Sequence, residues 1–346
     1  MNDMATESEG HQEQDGMRII IVGGGIAGLA TSIALRSPNR TITVLERSRM
    51  LKETGALISL QPNASKIVLS WGLAPFLEPC EPIVDTAFRM VDASGKLVRQ
   101  LDLDFARFGA DRVVYHRQDL HTALLKAATS TDLPGRPVEI RTASRVTACD
   151  PDEGTVTIDG GETLDADIII GADGIHSAVR EAVVGEPREA VPTGTSAYRM
   201  LLPVEALSGL KIPKDVLDIT QTVTTMVVGH DRRVIMGPGR GGKVFGIVAL
   251  VPDEHMREKT PASDSWVTQG SPSALLRAFE ARHERAGLIQ QYSREQARPG
   301  TDVGSNRIKL DPAQFMEYNC NYSGAKDWVA QKDLGSAVEK LSVSGS

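Results

Sequence analysis

Three glycines near the start of the chain have the types and the spacing of a phosphate-binding loop. Gly23, Gly25 and Gly28 occupy the three positions of a G-x-G-x-x-G pattern, directly after the apolar run 18–22. The first glycine permits a tight turn, the second lets the backbone approach a pyrophosphate, and the third lets a helix pack on the sheet. The helix N-terminus then offers unpaired N–H groups to the phosphates. The pattern therefore predicts that the chain binds a dinucleotide.

A carboxylate follows this loop at the position where a ribose is bound in such sites. Glu46 comes at the end of the apolar run 41–45, 18 residues after Gly28. A carboxylate there accepts hydrogen bonds from an adenosine ribose and repels a 2′-phosphate. The alternative, a glycine-rich turn without a ligand, is disfavoured by the surrounding strand, helix and acid. NAD, NADP and FAD all use this loop, so the motif leaves the dinucleotide open.

A second cluster lies in the segment 167–180, which reads D-x-x-x-G-A-D-G-x-x-S-x-x-R. Its apolar first part predicts a buried strand that delivers Asp173 and Gly174 to its carboxyl end. Ligands bind at this edge of parallel sheets. Periodicity alone leaves another interpretation open, a strand–turn–helix connection in which Asp173 caps the helix.

The elements that position these residues follow from the hydrophobic pattern. The segments 18–22, 41–45 and 167–171 are rich in isoleucine, valine and leucine, which is typical of strands buried on both faces of a parallel sheet. The helical pattern of 26–36 joins the first two runs into a βαβ unit with a right-handed crossover.

Other segments predict helices and a second kind of sheet. Helices are expected at 64–73 and 119–128, with Asn63 and Asp119 as N-caps. Short strands separated by glycine and proline turns predict a mostly antiparallel sheet over 195–251. The predicted division is a disordered leader at 1–16, a dinucleotide-binding domain with a small β-meander at 17–190, a substrate domain at 191–270, and a C-terminal helix with an irregular tail at 271–346.

Composition excludes several classes of protein. The 346 residues are 41% hydrophobic and 24% charged, which does not fit a disordered chain, a collagen or a coiled coil. A net charge of −7 disfavours sequence-independent nucleic-acid binding. Three cysteines without a C-x-x-C pair predict neither a disulfide framework nor a zinc site. The polar start of the chain lacks the pattern of a signal peptide, and no apolar run would span a membrane, so we expect a cytoplasmic protein.

Together, the two fingerprints resemble those of the class A flavoprotein monooxygenases, the group of salicylate hydroxylase and p-hydroxybenzoate hydroxylase. The segment 53–64 resembles the family's E-x-G-A-x-I…P-N-A stretch, 115–120 its Y-H-R-x-D-L, and 193–199 its T-G…A-Y-R. The resemblance covers residues 17 to about 250. It implies an α/β fold in which a Rossmann-type FAD-binding domain carries an inserted, mostly antiparallel substrate domain.

The resemblance also implies an activity and a set of site residues. The expected function is hydroxylation of a small aromatic, phenolic or polyketide-like metabolite in secondary metabolism, with FAD as cofactor and NAD(P)H and O₂ as co-substrates. Arg199 is the residue expected to bind an anionic group of the substrate, and no metal is expected. The implied cofactor-binding residues are Gly23, Gly25, Gly28, Glu46, Gly55, Ala56, Arg117, Asp173 and Gly174.

The sequence departs from the family pattern in two places. Gly237 stands where the family often carries a substrate-contacting tyrosine, so either that hydrogen bond is lost or the strand aligns differently. The family's third fingerprint, a Gly-Asp that wraps the flavin, is missing, because the sequence contains no Gly-Asp pair. The flanking segments nearly abut around Glu280, which indicates that a flavin-covering segment has been skipped.

This gap keeps two alternative functions open. One is a catalytically impaired relative that serves as a binding or accessory protein or releases H₂O₂ as an NAD(P)H oxidase. The other is an NAD-dependent dehydrogenase, which leaves the fingerprint at 167–180 unexplained and is therefore disfavoured.

Overall fold

The computed structural model describes residues 16–49, 55–104, 106–186, 191, 193–208, 214, 217–253, 270 and 275. Apart from residues 16 and 275, the predicted leader and the predicted C-terminal helix and tail lie outside these residues, as does the junction at Glu280. The strands, in chain order, are β1 (Met17–Val22), β2 (Arg40–Leu45), β3 (Leu57–Leu60), β4 (Ile83–Val84), β5 (Ala87–Asp92), β6 (Leu97–Asp102), β7 (Val113–His116), β8 (Glu139–Arg141), β9 (Val146–Asp150), β10 (Thr155–Ile158), β11 (Thr163–Asp165), β12 (Ile168–Gly171), β13 (Thr195–Pro203), β14 (Val223–Val228), β15 (Arg233–Gly239) and β16 (Val244–Pro252).

The helices are short, and 3₁₀ turns follow several of the strands and helices. The α-helices are α1 (Ile26–Leu35), α2 (Pro62–Ser70), α3 (Ala74–Leu77), α4 (Arg117–Thr129), α5 (Ala178–Val184) and α6 (Val204–Ser208). The 3₁₀ turns are Glu78–Cys80, Ala106–Phe108, Gly174–His176 and Arg240–Gly242.

The chain forms two compact units, and each combines two separate stretches of sequence. The first unit takes its described residues from 1–52 and 124–190, and the second from 53–123 and 191–346. The domain limits predicted from the sequence stay predictions.

A four-stranded parallel sheet with the order β12-β1-β2-β8 forms the centre of the first unit. Ile19 to Val22 on β1 are all at most 5% exposed, as predicted for a strand covered on both faces. The meander of β9, β10 and β11 and helix α5 share one hydrophobic core with this sheet. The α/β fold of the dinucleotide-binding part is therefore confirmed.

The end of α4 is held by one arginine of the first unit. Arg36 follows α1, and its two terminal guanidinium nitrogens donate to five backbone carbonyls at 2.8–3.0 Å at and beyond the C-terminus of α4, with hydrogens of Nη2 shared between acceptors. The last carbonyls of a helix have no partners within the helix, and Arg36 supplies donors to them in addition to the Val138 N–H, which donates to the Ala128 carbonyl at 2.9 Å. The acceptors belong to Ala127, Ala128, Ser130, Leu133 and Gly135.

A six-stranded sheet with the order β13-β16-β15-β14-β5-β6 dominates the second unit. All its neighbouring strands are antiparallel except β14 and β5, which pair in parallel. The mostly antiparallel sheet predicted for 195–251 is therefore present, and it is extended by the hairpin β5–β6 from earlier in the chain. A smaller antiparallel sheet has the order β3-β7-β4.

Two predicted helix caps are wrong. Helix α2 begins at Pro62, because the fixed φ of proline suits the first helical position, and Gln61 is its N-cap. Asn63 therefore lies inside the first turn. Helix α4 begins at Arg117, so Asp119 also lies inside the first turn, where it binds an arginine.

Candidate functional site

The glycine loop of the first unit is shaped by close backbone contacts. Gly23 has φ of +110°, and a Cβ there would lie 2.3 Å from the Ala172 carbonyl oxygen. Its N–H donates to the Leu45 carbonyl at 2.8 Å, which ties the turn to β2. A Cβ on Gly28 would lie 1.9 Å from the Gly23 carbonyl oxygen. Both positions therefore require glycine for the fold of the loop itself.

Gly25 has a different role, because nothing lies within 4 Å of the place where its Cβ would be. It is the N-cap of α1, where no side chain caps the helix and no acidic residue lies in the first turn. Among the described residues, no side chain therefore caps the first N–H groups of α1, and the space beside the Gly25 Cα is open. This arrangement fits a pyrophosphate, which needs close backbone approach and free amide donors.

The side chain of Glu46, which the sequence predicts to bind a ribose, is held in place by backbone amides in and near the glycine loop. One carboxylate oxygen accepts the Gly24 N–H and the other accepts the Ser48 N–H, both at 2.8 Å. An ionised carboxylate offers about four acceptor sites. Glu46 thus keeps acceptor capacity for ribose hydroxyls while its orientation is fixed by two backbone amides.

Asp173 lies beside the glycine loop, since a Cβ on Gly23 would be 3.0 Å from its backbone nitrogen. Its carboxylate accepts the Ser177 hydroxyl at 2.6 Å and the Val179 N–H at 3.3 Å. Ser177 is the N-cap of α5 and accepts the Arg180 N–H at 2.9 Å. Asp173 is thus the N-cap residue of the 3₁₀ turn Gly174–His176, whereas Ser177, which Asp173 supports, caps α5. Gly174 adjoins it with φ of +80°.

The second unit brings three further predicted residues together. The Arg117 N–H donates to the Ala56 carbonyl at 2.8 Å, so the start of α4 is fixed to the residue before β3. A Cβ on neighbouring Gly55 would lie 3.2 Å from Leu201 and 3.6 Å from the His116 Nε2. Gly55, Ala56 and Arg117 therefore form one local cluster, and their role as flavin contacts stays a prediction.

Asp119 and Arg240 form an ion pair beside this cluster. The Arg240 guanidinium donates two hydrogen bonds of 2.7 Å to the carboxylate, and its Nη2 is 3.2 Å from the His116 Nδ1. The hydrogen bonds from Arg240 lower the pKa of Asp119. Burial, and then the positive charge of Arg240, lower the pKa of His116, which is 4% exposed. His116 is therefore neutral at pH 7.

A cavity of about 110 Å³ lies against the six-stranded sheet of the second unit. An engineered apolar cavity of about 150 Å³ is known to hold benzene, so a ring bound here would fill this smaller space and extend beyond it. Gly237 and Gly246 line it side by side, paired in register, and Gly237 leaves part of its floor as bare backbone. The lining residues are Ala56, Leu57, Ile58, Ser59, Arg112, Val114, Arg199, Met200, Thr224, Ile235, Met236, Gly237, Pro238, Gly246, Ile247 and Val248.

Two arginines line this cavity, and only one of them was predicted from the sequence. Arg199 on β13 lies at its edge, and no acidic side chain of the described residues is paired with it. Arg112 forms an ion pair with the buried Asp85 and also donates to Thr224 and Ser59. Burial lowers the pKa of Arg112 to about 10, which leaves it charged at pH 7.

The sequence gives no motif that would identify this polar cluster. Asp85 and Thr224 are 139 positions apart, and Arg112 precedes β7 outside any recognisable pattern. Gly237, noted as a departure from the family pattern, does line the cavity. Among the described residues, no group of three or more His, Cys, Asp or Glu side chains could hold a metal ion. Within the same part of the chain, every helix is too short or too polar to cross a membrane.

The chain matches known proteins along most of its length. A family model described as FAD binding domain matches residues 16–275. Hispidin-3-hydroxylase of Neonothopanus nambi is 30% identical over 294 residues, 82% of this chain and 68% of that protein. The 3-hydroxybenzoate 6-hydroxylase of Klebsiella oxytoca is 30% identical over 308 residues, 85% of this chain and 72% of that protein. The FAD-dependent monooxygenase cfoG of Aspergillus candidus is 35% identical over 206 residues, 56% of this chain and 45% of that protein.

Solved structures share the fold. The structure of FqzB has a TM-score of 0.61 at 24% identity, with 77% of this chain and 59% of that chain covered. The tetrameric form of 2-methyl-3-hydroxypyridine-5-carboxylic acid oxygenase has a TM-score of 0.57 at 24% identity, with 69% and 60% covered. The chain spans 45% to 72% of the three curated relatives named above. It belongs to the FAD-binding-domain family of flavoprotein monooxygenases, as the two glycine-rich fingerprints predict.

Proposed function

We propose that the protein is an FAD-dependent monooxygenase that hydroxylates a small anionic aromatic metabolite with NAD(P)H and O₂. The observation that carries the proposal is Arg199, a cation at the edge of a largely apolar cavity in a chain of this family. The names of two relatives, hispidin-3-hydroxylase and 3-hydroxybenzoate 6-hydroxylase, support an aromatic substrate. The fungal relative cfoG supports a place in secondary metabolism.

The first unit offers residues for the dinucleotide. The amides beyond Gly25 would bind the pyrophosphate, and Glu46 would accept the ribose hydroxyls. Asp173 and Gly174, beside the loop, complete this group of proposed FAD contacts. When bound, FAD supplies the electron transfer from NAD(P)H and the activation of O₂.

The second unit offers residues for the aromatic substrate. Arg199 would bind a carboxylate or phenolate through charge-assisted hydrogen bonds, which are about twice as strong as neutral ones. Ile58, Ile235 and Val248 give the cavity apolar walls that exclude water from the bound ring. Gly55, Ala56 and Arg117 are the flavin contacts that the family resemblance assigns to this unit.

The proposal is tested with purified protein reconstituted with FAD. We expect aromatic carboxylates to stimulate NAD(P)H oxidation, and Arg199→Ala to reduce this stimulation by ten- to a hundredfold, because hydrogen bonds to a charged group contribute about 1.5–3 kcal/mol. FAD should stay bound, as measured by its visible absorbance. Arg99→Ala, an exposed arginine on β6, is the matched control. Failure to take up FAD, or unchanged stimulation in Arg199→Ala, would contradict the proposal.

A further inference from the structure

The polar cluster around Arg112 is a second recognition element in the cavity. Arg112, Ser59 and Thr224 all line the cavity, while Asp85 lies behind them with 1% of its surface exposed. Arg112 donates to the Ser59 hydroxyl at 2.9 Å and to the Thr224 hydroxyl at 3.1 Å. The Thr224 hydroxyl in turn donates to Asp85.

The hydrogens of this cluster can be assigned from its contacts. A hydroxyl has one hydrogen to donate and two lone pairs that accept. Thr224 uses its hydrogen on Asp85 and one lone pair on Arg112. Ser59 accepts from Arg112, and no acceptor for its own hydrogen is found among the described residues. Ser59 is therefore a donor whose orientation is fixed by Arg112.

The Ser59 side chain points into the cavity. Side chains alternate along a strand, so Ser59 and Leu57 on β3 point to the same side. Leu57 points to the six-stranded sheet, because its Cδ atoms lie 2.5–2.6 Å from where a Cβ on Gly239 or Gly246 would be. Ser59 therefore faces the floor of the cavity as well.

The two polar ends of the cavity are well separated and differ in charge. Arg199 is on β13 and Thr224 is on β14, and β16 and β15 lie between these strands. Three strand spacings correspond to about 14 Å between the backbones of β13 and β14. Side chains that extend towards each other from these two strands shorten the free distance between them, so that it suits a substituted ring. Asp85 balances the charge of Arg112, whereas Arg199 keeps its positive charge. The cavity as a whole thus favours a ligand with one negative charge.

We propose that Ser59, oriented by Arg112, binds a second oxygen of the substrate, so that the cavity selects an aromatic monoanion that also carries a hydroxyl or carbonyl group. Arg199 binds the anionic group at the other end. Ser59 is the binding residue, and Arg112 and Asp85 are positioning residues. This inference rests on the proposed function for the nature of the substrate, but it concerns binding rather than turnover.

The test is titration calorimetry of the full chain, with and without FAD, using benzoate, 3-hydroxybenzoate and 4-hydroxybenzoate as probes. We expect at least one hydroxybenzoate to bind about tenfold more tightly than benzoate, which corresponds to about 1.4 kcal/mol. Ser59→Ala should bring this ratio to below twofold without weakening benzoate. Arg112→Lys, which keeps a charge beside Asp85, should lower the ratio in the same way, whereas purely structural damage would weaken all probes together.

Ser70→Ala provides the matched control, because Ser70 is exposed and bonds only to its own helix. This variant should still bind the hydroxybenzoate about tenfold more tightly than benzoate. A wild-type ratio below twofold, a ratio retained in Ser59→Ala, or no binding of any probe would overturn the inference. Calorimetry measures binding and needs no turnover. If the wild type hydroxylates a substrate but binds hydroxybenzoates no more tightly than benzoate, this inference is rejected and the proposed function stands. Failure to take up FAD rejects the proposed function and leaves the ratio measurable.

Discussion

Gly237 and Gly246 are paired in register on β15 and β16, and the two positions differ in what surrounds them. A Cβ on Gly246 would lie 2.6 Å from Leu57, whose side chain fills the space above it. A Cβ on Gly237 would meet nothing closer than the Val223 carbonyl oxygen at 3.4 Å. Gly246 therefore belongs to the packing of the sheet, and Gly237 keeps part of the cavity open.

This difference predicts opposite effects for two identical substitutions. Gly246→Ala should reduce the free energy of unfolding by about 1–3 kcal/mol, because added volume in a packed core forces neighbours apart. Gly237→Ala should leave stability nearly unchanged and weaken the binding of ring-substituted benzoates several-fold. Thermal unfolding and calorimetry measure the two effects. Equal loss of stability in both variants would argue against the assigned roles.

The glycine loop permits a similar comparison. Gly28→Ala would bring a Cβ to 1.9 Å from the Gly23 carbonyl oxygen, so we expect a clear loss of stability even without FAD. Gly25→Ala has open space around it, so the FAD-free protein should keep its melting temperature. FAD affinity, followed by flavin fluorescence, should nevertheless fall at least tenfold in Gly25→Ala. Unchanged affinity would remove Gly25 from the proposed cofactor contacts.

Arg36 predicts a stability effect in the first unit. Its guanidinium contacts five carbonyls at and beyond the end of α4, and a hydrogen bond to a charged group contributes a net stabilisation of about 1.5–3 kcal/mol. Since Arg36 is partly exposed, water replaces part of this loss. We expect Arg36→Ala to lower the free energy of unfolding by about 2 kcal/mol in chemical denaturation. The exposed Arg99→Ala should change it by less than about 0.5 kcal/mol.

His116 predicts a pH dependence of stability. Burial lowers its pKa below the unfolded value of 6.5, so the unfolded state binds more protons as the pH falls. Stability is thus fully present above pH 6.5 and is lost as the pH falls from there through the folded pKa. Asp119, whose pKa is lowered chiefly by hydrogen bonds from Arg240, adds a loss of the same sign below pH 3.8.

The melting temperature measured between pH 7 and pH 5 tests this assignment. His116→Gln should flatten the decline over that range, because glutamine does not titrate. The melting temperature of the His230→Gln variant, altered at an exposed histidine, should decline over this pH range as in the wild type. A slope unaltered by His116→Gln would mean that another group is responsible.

The features predicted from sequence are those coded by short, contiguous patterns. The run at Ile19 to Val22 identified β1 as a buried strand, since only coverage on both faces explains continuous apolar residues. The Asp85–Arg112 pair was missed, because the two residues meet only where the antiparallel pairing of β4 with β7 continues beyond the strand ends. The cap at Asn63 was misplaced, since proline at the first helical position outweighs a capping side chain one residue later.

The most direct test of the proposed activity is oxygen incorporation. Protein reconstituted with FAD is supplied with NAD(P)H, a hydroxybenzoate and ¹⁸O₂, and the products are examined by mass spectrometry. We predict a hydroxylated product that carries one ¹⁸O atom, formed by the wild type and strongly reduced in Arg199→Ala. Consumption of NAD(P)H with H₂O₂ as the only oxygen product, across a panel of aromatic monoanions, would contradict hydroxylation and favour the oxidase alternative.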